Sequence, residues 1–471
     1  MKILLIQPNA SEEVDKEYVS LQFPINLGYI ASVLREAGHE IKMLDFNVTP
    51  KEELDRHILE FQPSIVGMTA MTSSIINVKS IIENIKTTDK NLITVLGGVH
   101  ASALPAETMK DIEDLDYLIF GEGEMTILEL ANYLENKTKE LESIKGIVFR
   151  IKDRIIKTGM RELIENLDKI PPPARDLLPM ELYAKRHVSR GFSRKHLKII
   201  EIMTSRGCPN QCIFCAGHIN YGYKLRFRSY ENIISEVQQC INQYGITHIS
   251  IEDDTFTINK ELVKQLCAFF KEKGITWNCN ARVNTVNYEL LKIMANSGCE
   301  KIAYGIESGS PEILLKNKKG ITIAQALNAV SETKKASIRY VECDFMIGSH
   351  IDETLDDVKL TKKLINQLMP DFLAVSIMCP YPGTELYKMM IKNNYLPEKP
   401  DWSQFSHFGD LKRYERLKYL SSSQMSKMQN EILKQYYSSP KYILMQLSKI
   451  RTFNEIKYFS KLGAEFLREI F

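Results

Sequence analysis

Three cysteines within eight residues are the feature that most constrains this chain. They are Cys208, Cys212 and Cys215, spaced as C-x3-C-x2-C. Three thiolates at this spacing can hold one side of a 4Fe-4S cluster and leave one of its irons open to a small molecule. Structural zinc would need a fourth ligand, and the nearest candidate, His218, follows Cys215 too closely for an unstrained ring. The pattern therefore favours an iron–sulfur cluster over structural zinc.

Charge and hydropathy exclude several classes of protein. The 471 residues carry 61 Lys and Arg against 59 Asp and Glu, a net charge of +2. This balance excludes a generally basic nucleic-acid binder and an acidic disordered chain. No run approaches the roughly 18 apolar residues that a membrane span needs, and the apolar run at residues 3–6 is too short for a signal peptide. We therefore expect a cytoplasmic protein with reduced thiols, in which the six other cysteines are small buried hydrophobic residues.

Strand-like and helical stretches alternate through the first 140 residues. Apolar runs predict strands at residues 2–7, 41–44, 65–68, 92–96 and 117–120. A strand, a loop and a helix repeated in this way are typical of a doubly wound, Rossmann-like parallel sheet. Such sheets bind ligands at the carboxyl ends of their strands, and the Gly- and Ser/Thr-rich loops of this region fall there.

A second alternating series begins near residue 196, with strand-like runs near 198–203, 247–252, 275–279, 300–304, 338–347 and 371–377. Six such units predict an α/β fold of the partial (β/α)6 barrel type, with its active site at the carboxyl face. The expected domains are a Rossmann-like sheet, a linker with a β-hairpin, the barrel and a helical C-terminal region. Their boundaries are 1–140, 141–195, 196–400 and 401–471.

A three-cysteine loop directly after the first strand of a partial barrel resembles the radical S-adenosylmethionine (SAM) superfamily. In that family the open iron of a 4Fe-4S cluster binds SAM, and the reduced cluster cleaves it to methionine and a 5'-deoxyadenosyl radical. The resemblance implies that Cys208, Cys212 and Cys215 are the cluster ligands and the catalytic residues. It implies SAM contacts from Phe214 and from later strand ends, at Glu252, Asp254, Arg282, Gly305, Glu307 and Gly348.

The resemblance also implies roles for individual SAM contacts. Phe214 would pack beside the adenine, Glu252 would bind the methionine amino group, and Glu307 would accept bonds from the ribose hydroxyls. Arg282 is suited to bind a carboxylate with two hydrogen bonds. The segment Met346-Ile347-Gly348-Ser349-His350 departs from the Gly-x-Pro-Gly that relatives commonly carry at the adenine.

The first domain resembles the cobalamin-binding domain that precedes the barrel in one large radical SAM subfamily. The residues expected to contact cobalamin are Thr69, Ser73, Gly97, Gly98, Gly121 and Glu122. Glycines let the backbone approach a flat macrocycle, and hydroxyls with backbone N–H groups suit a phosphate. The closest match to the Asp-x-His-x-x-Gly motif, Asp55-Arg56-His57-Ile58-Leu59-Glu60, lacks the glycine, so the resemblance implies base-off cobalamin. The alternative is a domain that binds a nucleotide, or nothing, and supports the barrel.

The resemblance implies a cobalamin-dependent radical SAM methyltransferase that acts on an unactivated carbon. One SAM supplies the methyl group to cobalt, and a second supplies the radical that removes a hydrogen from the substrate. A one-electron donor of the flavodoxin or ferredoxin type is the expected partner, and the substrate is a small or lipid-like molecule. The alternatives are a radical oxidoreductase, cyclase or rearrangement enzyme that transfers no methyl, and a non-catalytic electron carrier, which would need a fully ligated cluster.

Residues 441–471 carry six Lys and Arg against three Glu, with apolar residues at helical spacing. The apolar positions are Ile443, Leu447, Ile450, Phe453, Ile456, Phe459, Leu462, Phe466 and Ile470. Such a face more often packs on its own domain, and contact with a membrane surface is the alternative.

Overall fold

The computed structural model describes residues 1–9, 21–136, 140–186, 197–405, 414–450 and 456. Seven strands form its first sheet: β1 (Lys2–Gln7), β2 (Glu40–Asp45), β3 (Ile65–Thr69), β4 (Ile93–Gly97), β5 (Tyr117–Ile119), β6 (Ile147–Ile151) and β7 (Arg154–Lys157). Their order is β2-β1-β3-β4-β5-β6-β7, and the first five strands of the chain are parallel. The doubly wound sheet predicted from the sequence is confirmed.

Six helices flank this sheet: α1 (Ile25–Glu36), α2 (Leu54–Phe61), α3 (Ile75–Thr88), α4 (Val99–Ala103), α5 (Pro105–Asp111) and α6 (Glu124–Asn136). The hairpin of β6 and β7, which lies in the segment predicted as a linker, adds two antiparallel strands to the sheet edge. Tyr117 pairs with Phe149 in this extension. The hairpin therefore belongs structurally to the first sheet.

The second sheet has six parallel strands: β8 (Ile199–Ile202), β11 (His248–Ile251), β12 (Thr276–Ala281), β13 (Cys299–Glu307), β14 (Tyr340–Ile347) and β15 (Phe372–Ile377). They follow the order β15-β14-β13-β12-β11-β8 and confirm the partial (β/α)6 barrel. A short antiparallel ribbon, β9 (Ser205–Arg206) with β10 (Arg226–Phe227), brackets the cysteine loop.

The helices of this part are α7 (Met180–Arg186), α8 (His218–Tyr221), α9 (Tyr230–Tyr244), α10 (Lys260–Lys273), α11 (Tyr288–Asn296), α12 (Pro311–Lys316), α13 (Ile323–Lys335), α14 (Leu355–Leu368) and α15 (Glu385–Lys392). Each helix from α9 to α15 begins at a Ser, Thr or Asn whose side chain accepts a backbone N–H of the first turn: Ser229, Asn259, Asn287, Ser310, Thr322, Thr354 and Thr384. Each cap stabilises its helix by about 1 kcal/mol.

Two helices, α16 (Ser422–Tyr437) and α17 (Pro440–Lys449), follow the barrel. Gln429 donates to the Val375 carbonyl, and Tyr437 bonds both backbone groups of Leu373. Helix α16 therefore covers the free edge of β15, which would otherwise present unpaired backbone groups.

The first turns of α17 only partly follow the sequence prediction. Ile443 and Leu447, which were expected to pack on the barrel, are 46% and 57% exposed. Tyr442 and Gln446 make the contact instead, because both donate to the Asp371 carbonyl. Five of the predicted apolar positions lie outside the described residues: Phe453, Phe459, Leu462, Phe466 and Ile470. Within the described ranges, no helix is long and apolar enough to cross a membrane.

Candidate active site

The three clustered cysteines are half-buried, and each sulfur faces an N–H donor. Asn210 Nδ2 lies 3.3 Å from Cys208 Sγ, and the Gly217 amide lies 3.4 Å from Cys215 Sγ. Arg282 Nη1 approaches Cys212 Sγ at 3.8 Å. N–H donors aimed at sulfur stabilise thiolate ligands and tune the potential of an iron–sulfur cluster. This donor set fits the predicted cluster.

Burial also affects the acidity of the cysteine loop. Desolvation raises the pKa of the Cys215 thiol to about 11, so a metal must replace its proton for the thiolate to persist at neutral pH. Among the residues that the structure describes, no three His, Cys, Asp or Glu side chains are placed to hold a single metal ion.

Several neighbouring elements fix the backbone of the cysteine loop. The Ile213 amide donates to the Asn317 carbonyl at 3.2 Å, and the Ile213 carbonyl accepts from the Leu386 amide at 2.9 Å. Gly207 has a φ of +86°, and a Cβ there would lie 2.3 Å from the Lys224 carbonyl oxygen. Only glycine fits this position, which immediately precedes the first cysteine.

Asp253 lies between two residues that were predicted to contact SAM. Its own carboxylate supports the start of the cysteine loop. Its carboxylate accepts from the backbone and hydroxyl of Thr204 at 2.6 and 2.5 Å and from the Ser205 hydroxyl at 2.5 Å. Burial raises its pKa, while these donors lower it. The strand end therefore sets where the cysteine loop begins.

Glu252 and Asp254, the predicted SAM contacts beside it, lie at the carboxyl end of β11. The Ser250 hydroxyl donates to Glu252 Oε1 at 2.5 Å and so orients that carboxylate. Asp254 Oδ2 lies 3.3 Å from where a Cβ on Gly217 would be, which places it beside the cysteine loop. Although its side chain is exposed, desolvation by the surrounding protein raises its pKa.

Glu307 and Gly305 lie at an irregular strand end. Glu307 has a φ of +75°, and the register of β13 against β14 shifts between Gly305 and Glu307. Such strain in a non-glycine residue costs about 1–3 kcal/mol and is concentrated at functional sites. A Cβ on Gly305 would lie 2.5 Å from Glu307 Oε1, so the glycine makes room for this carboxylate.

Lys319 joins these predicted residues, and the sequence did not identify it. Its ammonium donates to Glu307 Oε1 at 2.9 Å and lies 5.9 Å from the Phe214 ring centre. Its carbonyl accepts from Arg282 Nη2. The one signal in the sequence is a Lys318-Lys319-Gly320 turn after α12. A 7% exposed ammonium beside a carboxylate suits a zwitterionic ligand.

The structure places Arg282 beside the cysteine loop and buries Gly348. The two Nη groups of Arg282 meet Cys212 Sγ and the Lys319 carbonyl, so this guanidinium lies beside the cluster loop. Gly348 is buried under the C-terminal region, because a Cβ there would lie 2.7 Å from Met425 Sδ and 3.3 Å from Leu417. The structure therefore does not bring Gly348 to the open mouth of the barrel.

The predicted cobalamin contacts gather at the carboxyl edge of the first sheet. Thr69, Ser73, Gly97, Gly98 and Gly121 are all half-buried. Gly98 has a φ of +97°, and a Cβ there would lie 2.6 Å from the Ala70 backbone. The Ser102 hydroxyl donates to the Gly98 carbonyl and accepts from the Gly121 amide, whereas a Cβ on Gly121 would meet no atom within 4 Å. This open, glycine-lined edge fits the face of a flat macrocycle.

Glu122 has a different environment from its neighbours. It is 5% exposed, and its carboxylate accepts from Arg206 at 3.0 Å, from Arg226 at 2.8 Å and from the Ile164 amide at 2.7 Å. Arg206 also donates to Glu124 at 2.6 Å. Both carboxylate oxygens of Glu122 therefore bind protein groups in an interdomain ion-pair cluster, which the sequence did not reveal.

The glycine-lined edge and the cysteine loop are adjacent. Helix α4, which follows Gly98, contacts α8, which follows the cysteines. Gly383 fits between them, since a Cβ there would lie 2.7 Å from Ile219 and 3.2 Å from Ala103. At the same edge Trp402 packs edge-to-face on His100, whose pKa burial lowers to about 4. The sequence predicted both sites but not this contact.

Comparison with known proteins identifies two domains in this chain. A family model described as the B12 binding domain matches residues 16–131, and one described as the Radical SAM superfamily matches residues 202–365. The chain is 34% identical over 451 residues to an uncharacterized methyltransferase of Pyrococcus horikoshii, with 95% of each chain covered.

More distant relatives differ in their named activities. Cytidylyl-2-hydroxyethylphosphonate methyltransferase of Streptomyces wedmorensis is 26% identical, over 84% of this chain and 83% of that protein. Anaerobic magnesium-protoporphyrin IX monomethyl ester cyclase of Cereibacter sphaeroides is 25% identical, over 82% and 63%. The solved structure of the cobalamin-dependent SAM radical enzyme OxsB superposes with a TM-score of 0.76 at 18% identity, over 99% of this chain and 71% of that one.

Proposed function

This chain belongs to the cobalamin-binding radical SAM enzymes, and we propose that it methylates an unactivated carbon of its substrate. The observation that carries the proposal is the contact between α4 and α8, which places the glycine-lined edge beside the cysteine loop. A methyl carrier in the first domain and a radical generator in the barrel must reach one substrate carbon, and this adjacency meets that requirement.

We assign the cofactors to the residues that fit them. Cys208, Cys212 and Cys215 would hold the 4Fe-4S cluster, and Thr69, Ser73, Gly97, Gly98 and Gly121 would line the base-off cobalamin. When bound, these groups supply reductive cleavage of one SAM and methyl transfer from another. Two SAM and two electrons convert R–H to R–CH3, with S-adenosylhomocysteine, methionine and 5'-deoxyadenosine as the other products.

The chain's own residues would position SAM for this reaction. Lys319 would bind the SAM carboxylate, Glu252 the amino group and Glu307 the ribose hydroxyls. These charges are complementary to the zwitterionic end of SAM. Phe214, under the Lys319 ammonium, would pack against the adenosyl group.

The electrons must come from outside the chain, so we assign the external donor to the flavodoxin or ferredoxin class. Cysteines that bind a cluster must stay reduced, and this requirement supports a cytoplasmic location for the enzyme. The second candidate function is a radical cyclisation without methyl transfer, as in the name of the Cereibacter sphaeroides relative.

Product analysis under anaerobic conditions tests the proposal. Reconstituted, cobalamin-loaded protein is incubated with SAM, a low-potential reductant and extract of the source organism. Comparable, cobalamin-dependent amounts of S-adenosylhomocysteine and 5'-deoxyadenosine are expected for a methyltransferase. 5'-Deoxyadenosine alone would favour the cyclase-type reaction.

A cysteine variant tests the cluster assignment. Cys212→Ala should abolish 5'-deoxyadenosine formation and the cluster's electron paramagnetic resonance (EPR) signal while cobalamin still binds. Cys267→Ala, a buried cysteine on α10, is the matched control and should retain both. Undiminished 5'-deoxyadenosine from Cys212→Ala would refute the assignment.

A further inference from the structure

The outer side of the cysteine loop lies close to the protein surface. The Ile213 amide donates to the Asn317 carbonyl, and the Ile213 carbonyl accepts from the Leu386 amide. The residues next to these two partners, Lys318 and Glu385, are each 50% exposed and form an ion pair at 2.6 Å. This surface pair therefore joins the two segments that flank the cysteine loop.

An exposed aromatic ring lies at the same place. Tyr223 is 43% exposed, and its ring stacks on His218 with 4.9 Å between the ring centres. The imidazole Nδ1 of His218 lies 2.9 Å from the Cys215 carbonyl oxygen. Burial raises the pKa of the Tyr223 hydroxyl, the Glu385 carboxylate raises it further, and the Lys318 ammonium lowers it. Tyr223 is therefore a neighbour of both the cysteine loop and the ion pair.

Helix α15 adds positive charge to this place. Glu385, Lys388 and Lys392 follow one another at helical spacing, so they lie on one side of the helix. Lys388 and Lys392 are exposed. Burial lowers the pKa of His218, and the charge of Lys388 lowers it further, which places this lysine near the imidazole. Because Glu385 is paired with Lys318, the two lysines of α15 leave this place with a positive charge.

Apolar and charged groups together form what we call the outer surface: Tyr223, Leu315, Lys318, Lys388 and Lys392. Leu315 is 79% exposed, and its carbonyl accepts from the Lys318 amide at 3.0 Å. Protein interfaces combine aromatic and apolar contacts at their centre with a polar rim. Electron-transfer complexes bury little area, so a surface of this size suits such a partner.

We propose that the outer surface docks an acidic one-electron carrier protein, which reduces the cluster. The inference rests on the proposed function and identifies where its external donor binds. One electron passes from the reduced carrier to the cluster, so the carrier is oxidised by one electron and no atom is transferred. The lysines attract an acidic carrier and orient it. A carrier at Lys318 would lie beside the loop that holds the cluster ligands.

Two adjacent lysines separate this surface from the proposed SAM site. Lys319 is 7% exposed and donates to Glu307, whereas Lys318 is 50% exposed and pairs with Glu385. The same turn therefore contacts the proposed SAM site with one lysine and the surface with the other. A carrier can bind outside while SAM stays bound within, as reductive cleavage of SAM requires.

Reduction kinetics under anaerobic conditions test the docking surface. Reconstituted protein with SAM receives reduced flavodoxin, reduced ferredoxin or reduced methyl viologen, a small cationic reductant, and 5'-deoxyadenosine formation is timed. The double charge reversal Lys318→Glu with Lys388→Glu should lower the rate with the protein carriers about 10-fold at low salt. Reduced methyl viologen should act on this variant no more slowly than on wild type. Added salt should slow the wild-type reaction with a protein carrier and affect the variant less.

Further variants separate docking from structural effects. Lys264→Glu changes a 48% exposed lysine on α10 that is paired with Glu261, and this matched control should keep the wild-type rate with each carrier. Leu315→Asn changes no charge and should slow reduction by the protein carriers only. Equal carrier-driven rates for wild type and the double-lysine variant would overturn the docking surface. An equal loss of rate with methyl viologen would also overturn it, because the effect would then lie in the cluster itself.

Failure of the proposed function gives a different result. If wild-type protein with methyl viologen formed neither S-adenosylhomocysteine nor 5'-deoxyadenosine, the enzyme assignment itself would be wrong, and the inference would be rejected with it. If methyl viologen supported both products but neither flavodoxin nor ferredoxin did, only the docking inference would be wrong.

Discussion

Removal of the Glu122 carboxylate should destabilise the interface between the two domains strongly. Arg206 and Arg226 are both 4% exposed, and both donate to Glu122. In Glu122→Ala, these two buried guanidinium groups would share a single remaining carboxylate, that of Glu124, which pairs with Arg206. Breaking a buried ion pair by removing one partner costs about 3–5 kcal/mol. Because a folded domain is stable by only about 5–15 kcal/mol, this loss would be readily measured.

Urea denaturation followed by tryptophan fluorescence measures this loss. The two tryptophans report on different places: Trp277 is buried in the barrel, and Trp402 packs on the first domain. Glu181→Ala is the matched control, because its ion pair with Lys185 at 2.9 Å lies at the surface. This control should leave the denaturation midpoint unchanged. Equal midpoints for Glu122→Ala and Glu181→Ala would refute the structural role of the buried cluster.

Three further predictions concern the barrel. Arg282→Met removes an N–H donor and a positive charge from Cys212 Sγ, so the cluster's reduction potential should become more negative in an EPR-monitored titration, whereas Arg282→Lys should shift it less. Lys319→Met should weaken SAM binding about 10- to 100-fold in equilibrium dialysis, since one charged hydrogen bond is lost. Burial raises the pKa of Glu353 from 4.5 to about 8, so its folded form holds a proton that the unfolded chain releases, and the free energy of unfolding should fall as pH rises from 4.5 to 8. Glu353→Gln should remove this pH dependence, which is worth up to about 5 kcal/mol. If the free energy of unfolding from urea denaturation changed with pH equally in wild type and variant, the prediction would be contradicted.

The strands and the cysteine loop could be predicted because their signals are local. The six predicted barrel strands match β8 and β11–β15, since each is a short apolar run bounded by polar loops. Parallel strands bring their carboxyl ends to one edge, so Glu252, Gly305 and Glu307 could be placed near the cysteines from sequence order alone. This rule needs no knowledge of side-chain contacts.

The remaining features depend on contacts between segments far apart in the chain. The burial of Gly348 could not be predicted, because Met425 and Leu417 cover it from the C-terminal region. Lys319 has no motif, and its role depends on a turn that carries its ammonium back to Glu307. In both cases tertiary packing, rather than local pattern, determines what the side chain meets.

Hydrogen bonds and short chain segments together join the two proposed cofactor sites. Ser102 links the Gly98 carbonyl to the Gly121 amide at 2.9 and 3.0 Å, and Glu122, the next residue, binds Arg206. Arg206 lies two residues before Cys208, the first cluster ligand. Because buried ion pairs tolerate little displacement, folding itself fixes the distance between the glycine-lined edge and the cysteine loop. A reaction that passes a radical and a methyl group to one carbon needs this fixed distance before either cofactor reacts.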